Sequence, residues 1–282
     1  MTSTDIVLPS ASAPVSGTMS PADEAALARA VEALERTSFA VRASNLLGKQ
    51  IELAGRFVPE RISGAVSKAA TVALRQAMHM AIRSLVGRPV RHGPLFHRAL
   101  AAASGAAGGA FGLAALPLEL PISTTVMLRA IADIARSEGE DLADPEAALA
   151  CLQVFALGGN APGSDVLEGG YFALRGFLAK SISEAARYMA RKSVIDETAP
   201  ILIRLTSQIA TRFGAVVSQK LAAQAVPFFG AVGGAAVNIA FTEHFQSLAR
   251  GHFIVRRLER SYGTTLVREE YERLARRSVP AS

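Results

Sequence analysis

Glu119, Asp133, Glu243, His244 and His252 are of the types that ligate metals or move protons. Brought together, such carboxylates and imidazoles could hold an ion and activate water for hydrolysis. Their spacing favours plainer roles. No HExxH pair occurs, and His244 and His252 stand about two helical turns apart, too far for both rings to share an ion unless the helix bends. Arg129 and Asp133 are four apart and share a helical face, as do Thr125 and Arg129. Positions 244, 248, 252 and 256 form a stripe carrying His244, Leu248, His252 and Arg256. The expectation is a polar cluster in which at least one of Glu119, Arg129 and Asp133 meets at least one of Glu243, His244, His252 and Arg256. Structural ion pairs and helix-end contacts are favoured over catalysis. A metal-dependent hydrolase built on Glu119, Asp133, Glu243, His244 and His252 stands as an alternative, with no metal favoured.

Other chemistries find less support. There is no GxSxG nucleophile elbow, no GxGxxG turn and no GxxxxGK[ST] phosphate loop. Cys151 is the only cysteine, which excludes an internal disulfide and a cysteine-cluster metal site within one chain. Its apolar setting, Ala150-Cys151-Leu152-Gln153-Val154-Phe155, suits a small buried side chain better than a nucleophile. No cofactor is expected, although a bound lipid or fatty acid would suit the long uncharged stretches of the chain.

The elements that must position these residues read as helices. Ser20, Pro21 and Asp23 form a cap, a first-turn proline and a first-turn acid, and Leu27, Val31 and Leu34 recur on one face. Further helices are predicted over about 60–86, 95–116 and 122–138. Asp144-Pro145 starts another that runs to about Leu157. The Gly158–Gly163 interruption precedes a helix over about 165–191. Pro200 breaks the run over 193–225. The run over 229–262 holds one long helix or two stacked ones, Gly263 supplies a stop, and 267–277 is the last helix. The fold class is all-α, a multi-helical single domain with central small-residue-rich helices. Residues 1–19 read as a flexible leader without a signal-peptide pattern, 20–278 as the helical domain and 279–282 as a tail.

Two stretches lack any charge, Ala99–Leu118 and Leu221–Thr242. Each is long enough to span a bilayer, but their glycines and alanines weaken the hydrophobic drive. Small residues also let helices approach closely, so Gly105, Gly108, Gly109, Gly112, Gly230, Gly233 and Gly234 are expected at tight helix contacts. GAAGG precedes Glu119 by ten residues and GAVGG precedes Glu243 by nine, a weak internal similarity. Phe111, Phe228 and Phe229 could contact lipid, while Arg88, Arg91 and His92 could engage anionic headgroups. A solvated turn is the simpler account of residues 87–94.

The balance of 30 Lys and Arg against 24 Asp and Glu gives +6, modestly favourable to anionic partners. With four Tyr, no Trp and no basic track interleaved with aromatics, nucleic acid is an unlikely partner.

The strings LPLELPISTTVMLRAIADIARSEGEDLADP, CLQVFALGG, QKLAAQAVPFFGAVGGAAVN and FTEHFQSLARGHFIVRRLERSYG occur in order along the chain. Together they resemble the EcsC protein family, over about Asp23 to Tyr271. The resemblance implies a bacterial protein named from a gene neighbouring an ABC transporter, and supplies no catalytic residues to carry over. The expected function is non-enzymatic binding of a lipid or other membrane component, in the cytoplasm and peripheral to the inner membrane. A helical scaffold associated with an ABC transporter component is the second alternative.

Overall fold

The computed structural model describes residues 18–36, 39, 60–82, 116–158, 170–192, 195–224 and 230–277. Helix α1 (Pro21–Val31) begins where Ser20 Oγ accepts the Asp23 N–H at 3.1 Å, with Pro21 in the first turn where no donor is lost. It runs into a π-helical turn, Glu32–Arg36. α2 spans Glu60–Met80, and α3 spans Leu116–Ser137. The sequence places the start of α3 at Ile122, but the helix already runs through Pro121. A proline this close to the N-terminus forfeits one early backbone bond, a loss the helix tolerates here.

Asp144 starts α4 (Pro145–Leu157) by accepting the Glu146 N–H at 3.0 Å. α5 is Tyr171–Arg191 and α6 is Pro200–Gln224, with Pro200 opening the helix rather than breaking it. α7 runs unbroken from Gly230 to Tyr262, so this stretch holds one helix and not two. Gly263 has φ +87°, a left-handed conformation that costs glycine little, and it separates α7 from α8 (Thr264–Arg277). α8 begins three residues earlier than its periodicity suggests. No strand occurs among the described residues.

Every residue of α4 from Ala147 to Leu157 is buried, the signature of a helix apolar on all sides and placed at the centre. α2, α3, α5, α6 and α7 all pack against it. Phe155 of α4 meets Phe213 of α6 and Phe245 of α7 with ring centroids 5.1 and 5.3 Å apart, in edge and tilted arrangements that suit the ring quadrupoles. α1 lies along α7 at Gly251, where a Cβ would stand 2.8 Å from Leu34 Cγ and 3.2 Å from the Ala30 carbonyl oxygen. These contacts make one helical domain around a continuous core.

The uncharged stretch Leu221–Thr242 is not a single span. Its first residues end α6 at Gln224, and α7 opens at Gly230, with Val237, Ala240 and Phe241 buried in the core. Among the described residues no helix is long and apolar enough to cross a membrane. Gly230, Gly233 and Gly234 belong to the opening turns of α7. Gly105, Gly108, Gly109 and Gly112, and most of the other uncharged stretch, lie outside the described residues.

Candidate functional site

Glu119 lies in the first turn of α3 and Lys220 one turn from the end of α6. A carboxylate is favoured at the positive end of a helix, so Glu119 sits where α3 stabilises it. Lys220 Nζ donates to Glu119 Oε1, and the ammonium stands 4.9 Å from the centroid of the Phe241 ring. Lys220 has no solvent exposure and Glu119 is buried. Burial pushes the Lys220 amine below its ordinary value, against the opposing pull of the Glu119 carboxylate. Thr124 Oγ1 on α3 and Gln224 Nε2, one turn beyond Lys220, are buried without a hydrogen-bond partner among the described residues.

The pair has a particular position in the sequence. Glu119 immediately follows the uncharged stretch ending at Leu118, and Lys220 immediately precedes the one beginning at Leu221. The ion pair therefore ties the end of one uncharged stretch to the start of the other. Lys220 was missed among the sequence candidates. Its signal was a lone cation on the face that also carries Phe213, Val216 and Val217.

A second polar chain links α5 and α7. The Tyr171 hydroxyl accepts from Arg175 Nη1 at 3.3 Å and stands 2.8 Å from His252 Nδ1. The guanidinium donates to the hydroxyl oxygen, and the imidazole tautomer sets which of Tyr171 Oη and His252 Nδ1 donates to the other. Nε2 is buried and unpartnered among the described residues. Burial, followed by the Arg175 and Arg256 charges, holds the imidazole well below its usual value, so His252 is neutral at pH 7. Arg175 forms two bonds of 2.8 and 2.9 Å to the Glu259 carboxylate. Behind it, Glu35 Oε1 accepts from the Tyr271 hydroxyl at 2.8 Å and from the Tyr171 N–H at 3.1 Å. Arg175 and Glu259 open onto a groove of about 580 Å³ walled by Phe172, Thr264, Arg268 and Glu272.

The structure gives other sequence candidates separate partners. Asp133 pairs with Arg136 at 3.2 Å, while Arg129 is exposed. Arg256 makes two bonds to Glu140, at 2.8 and 3.0 Å, and Arg260 joins the same carboxylate. Burial would raise the Glu140 carboxyl, but the two guanidiniums outweigh it and hold it below its ordinary value. His244 is buried between the rings of Phe39 and Phe245, and Glu243 is half-buried. Glu119, Asp133, Glu243, His244 and His252 are all described, and no three His, Cys, Asp or Glu residues among the described ones are grouped to hold a metal ion. Cys151 is buried, and burial pushes its thiol up to about 12, which leaves it protonated and unreactive at neutral pH. Arg88, Arg91, His92, Phe111, Phe228 and Phe229 lie outside the described residues.

Residues 26–258 match the EcsC protein family. The chain belongs to that family. Neither a curated protein nor a solved structure matches it. In this EcsC protein the matched span contains both partners of the Glu119–Lys220 pair and the Tyr171–His252 contact. It ends one residue before Glu259, so the α8 wall of the groove lies beyond the family span.

Proposed function

We propose that this EcsC protein binds an amphipathic membrane component without transforming it, and does so at the membrane surface as a peripheral protein. The observation that carries the proposal is the placement of the Glu119–Lys220 pair at the junction of the two uncharged stretches. An acidic headgroup that competed with Glu119 for Lys220 would bind at two residues that each adjoin an uncharged stretch in the sequence. Lys220 needs an anion in this buried setting, and the exchange also requires that the displaced Glu119 carboxylate find another hydrogen-bond donor or reach solvent.

The test is native purification followed by solvent extraction and mass spectrometry of the extract, together with flotation of the lipid-stripped chain on liposomes. Retained lipid and flotation are expected. A folded chain that yields no lipid and does not float would overturn the proposal.

A further inference from the structure

We infer that the outer face of α2, α5 and α6 is the surface on which this protein lies against an anionic bilayer. The inference rests on the membrane-component proposal and adds to it the face that makes contact. Its first support is an unequal distribution of charge. On the side built from α1, α7 and α8, Arg256 is held by Glu140, Arg257 by Asp23 and Glu138, and Arg273 by Glu24 and Glu270, while Arg29, Arg250 and Arg277 are exposed without an ion pair among the described residues. These three helices carry nine Lys and Arg against seven Asp and Glu, whereas α2, α5 and α6 carry ten against two. On α2, α5 and α6, Lys68, Arg75, Arg191 and Arg204 are exposed and form no ion pair among the described residues. Exposed Lys180 reaches Glu184 only at 4.0 Å, and exposed Arg187 donates to the Ser183 carbonyl. Glu184, Asp196 and Glu197 are the carboxylates on α5, α6 and the turn joining them, and Glu197 is engaged by His79 at 2.6 Å. Positive charge on this face is therefore left over after internal pairing, which is what an anionic surface attracts.

The second support is independent of charge. The exposed large apolar side chains among the described residues are Val72, Ile122, Phe177 and Ile203. They lie on α2, α3, α5 and α6, and none is on α1, α4, α7 or α8. Phe177 is 58% exposed, with the Arg212 guanidinium 5.9 Å from its ring centroid. α5 packs on α6, α6 on α2 and α2 on α3, all outside the central α4, so their exposed faces adjoin. Cations interspersed with apolar side chains along helices is the pattern of a surface that settles into a lipid headgroup layer. A nucleic-acid backbone would use the cations but has no use for Phe177 and Ile203, which is why the bilayer is the partner favoured.

The experiment is flotation of the full chain on vesicles of phosphatidylglycerol in phosphatidylcholine and on phosphatidylcholine alone. A duplex DNA binding assay runs in parallel. The variants are Arg187→Glu with Arg204→Glu, Phe177→Ser, and a control of equal charge change, Arg276→Glu with Arg277→Glu at the end of α8. Helical circular dichroism and a cooperative melt show that each is folded. The α5–α6 pair is expected to weaken binding to the anionic vesicles by about tenfold or more, and the α8 pair by less than about twofold. Phe177→Ser is expected to weaken it without any change of charge. Equal losses from the two double variants, or face-dependent binding to DNA with none to vesicles, would overturn the inference. Should lipid still co-purify while the α5–α6 variant floats like the wild type, the face is wrong and the ligand proposal stands. Should face-dependent flotation persist in a chain that retains no lipid, the ligand proposal fails and the face stands.

Discussion

At Lys220 the cost of burying an ammonium is offset by the Glu119 carboxylate and the Phe241 ring. Removing one partner strands the other, so Lys220→Met should destabilise the fold by about 3–5 kcal/mol in a urea titration. Lys220→Met combined with Glu119→Leu should recover most of that loss, because it leaves no buried charge behind. His252 carries a different signature. Its folded value lies well below 6.5, so above about pH 6.5 both states are neutral and it contributes no pH dependence. As pH falls below 6.5 the unfolded chain takes up a proton that the buried ring refuses, and stability declines. The lowered Glu140 carboxyl adds its loss only below its unfolded value of about 4.5. Between pH 6.5 and 5, the difference between wild type and His252→Gln should therefore slope by up to about 1.4 kcal/mol per pH unit, and identical slopes in the two proteins would refute the assignment. Glu119 and His252 were recognisable in the sequence as residues that must be partnered if buried. Their partners were not, because Lys220 and Tyr171 stand on helices remote in sequence, and a helical period fixes a face but not what it faces.

The helices follow from local chemistry where capping dictates them and depart from it where tertiary packing overrides local preference. Ser20, Asp144 and Gly263 set boundaries that the sequence announces, since a hydroxyl or carboxylate cap and a left-handed glycine are local devices. The helix expected over about 122–138 begins earlier, at Leu116, and carries Pro121 within its early turns. The glycines expected at close contacts are not the ones where the described residues display them: those are Gly158, against the Phe245 ring, and Gly251, both outside the glycine-rich stretches. At Gly251, α1 and α7 meet so closely that a methyl group would strike Leu34 Cγ and press on the Ala30 carbonyl. Gly251→Ala should cost about 1–3 kcal/mol, despite the better helix propensity of alanine. Thermal melts that show Gly251→Ala to be as stable as the wild type would mean that α1 moves away freely.

For the molecule as a whole, composition and helical period were enough for an all-α domain, but not for the placing of Ala147–Leu157 at its centre, which the sequence reading did not single out. How the helices close around it was not legible, because ring packing such as that of Phe155 with Phe213 and Phe245 joins distant segments. Nor could the sequence tell that Leu221–Thr242 would be shared between two helices, since an uncharged run records hydropathy and not continuity. The central claim joins these scales: the Glu119–Lys220 pair marks where two uncharged stretches receive an amphipathic ligand. Native mass spectrometry of the gently purified 29.6 kDa chain measures this directly. Wild type should carry an extractable lipid adduct that the folded Lys220→Met, Glu119→Leu double variant has lost. A folded wild type at its bare mass, or an adduct equally retained by the double variant, would contradict the account.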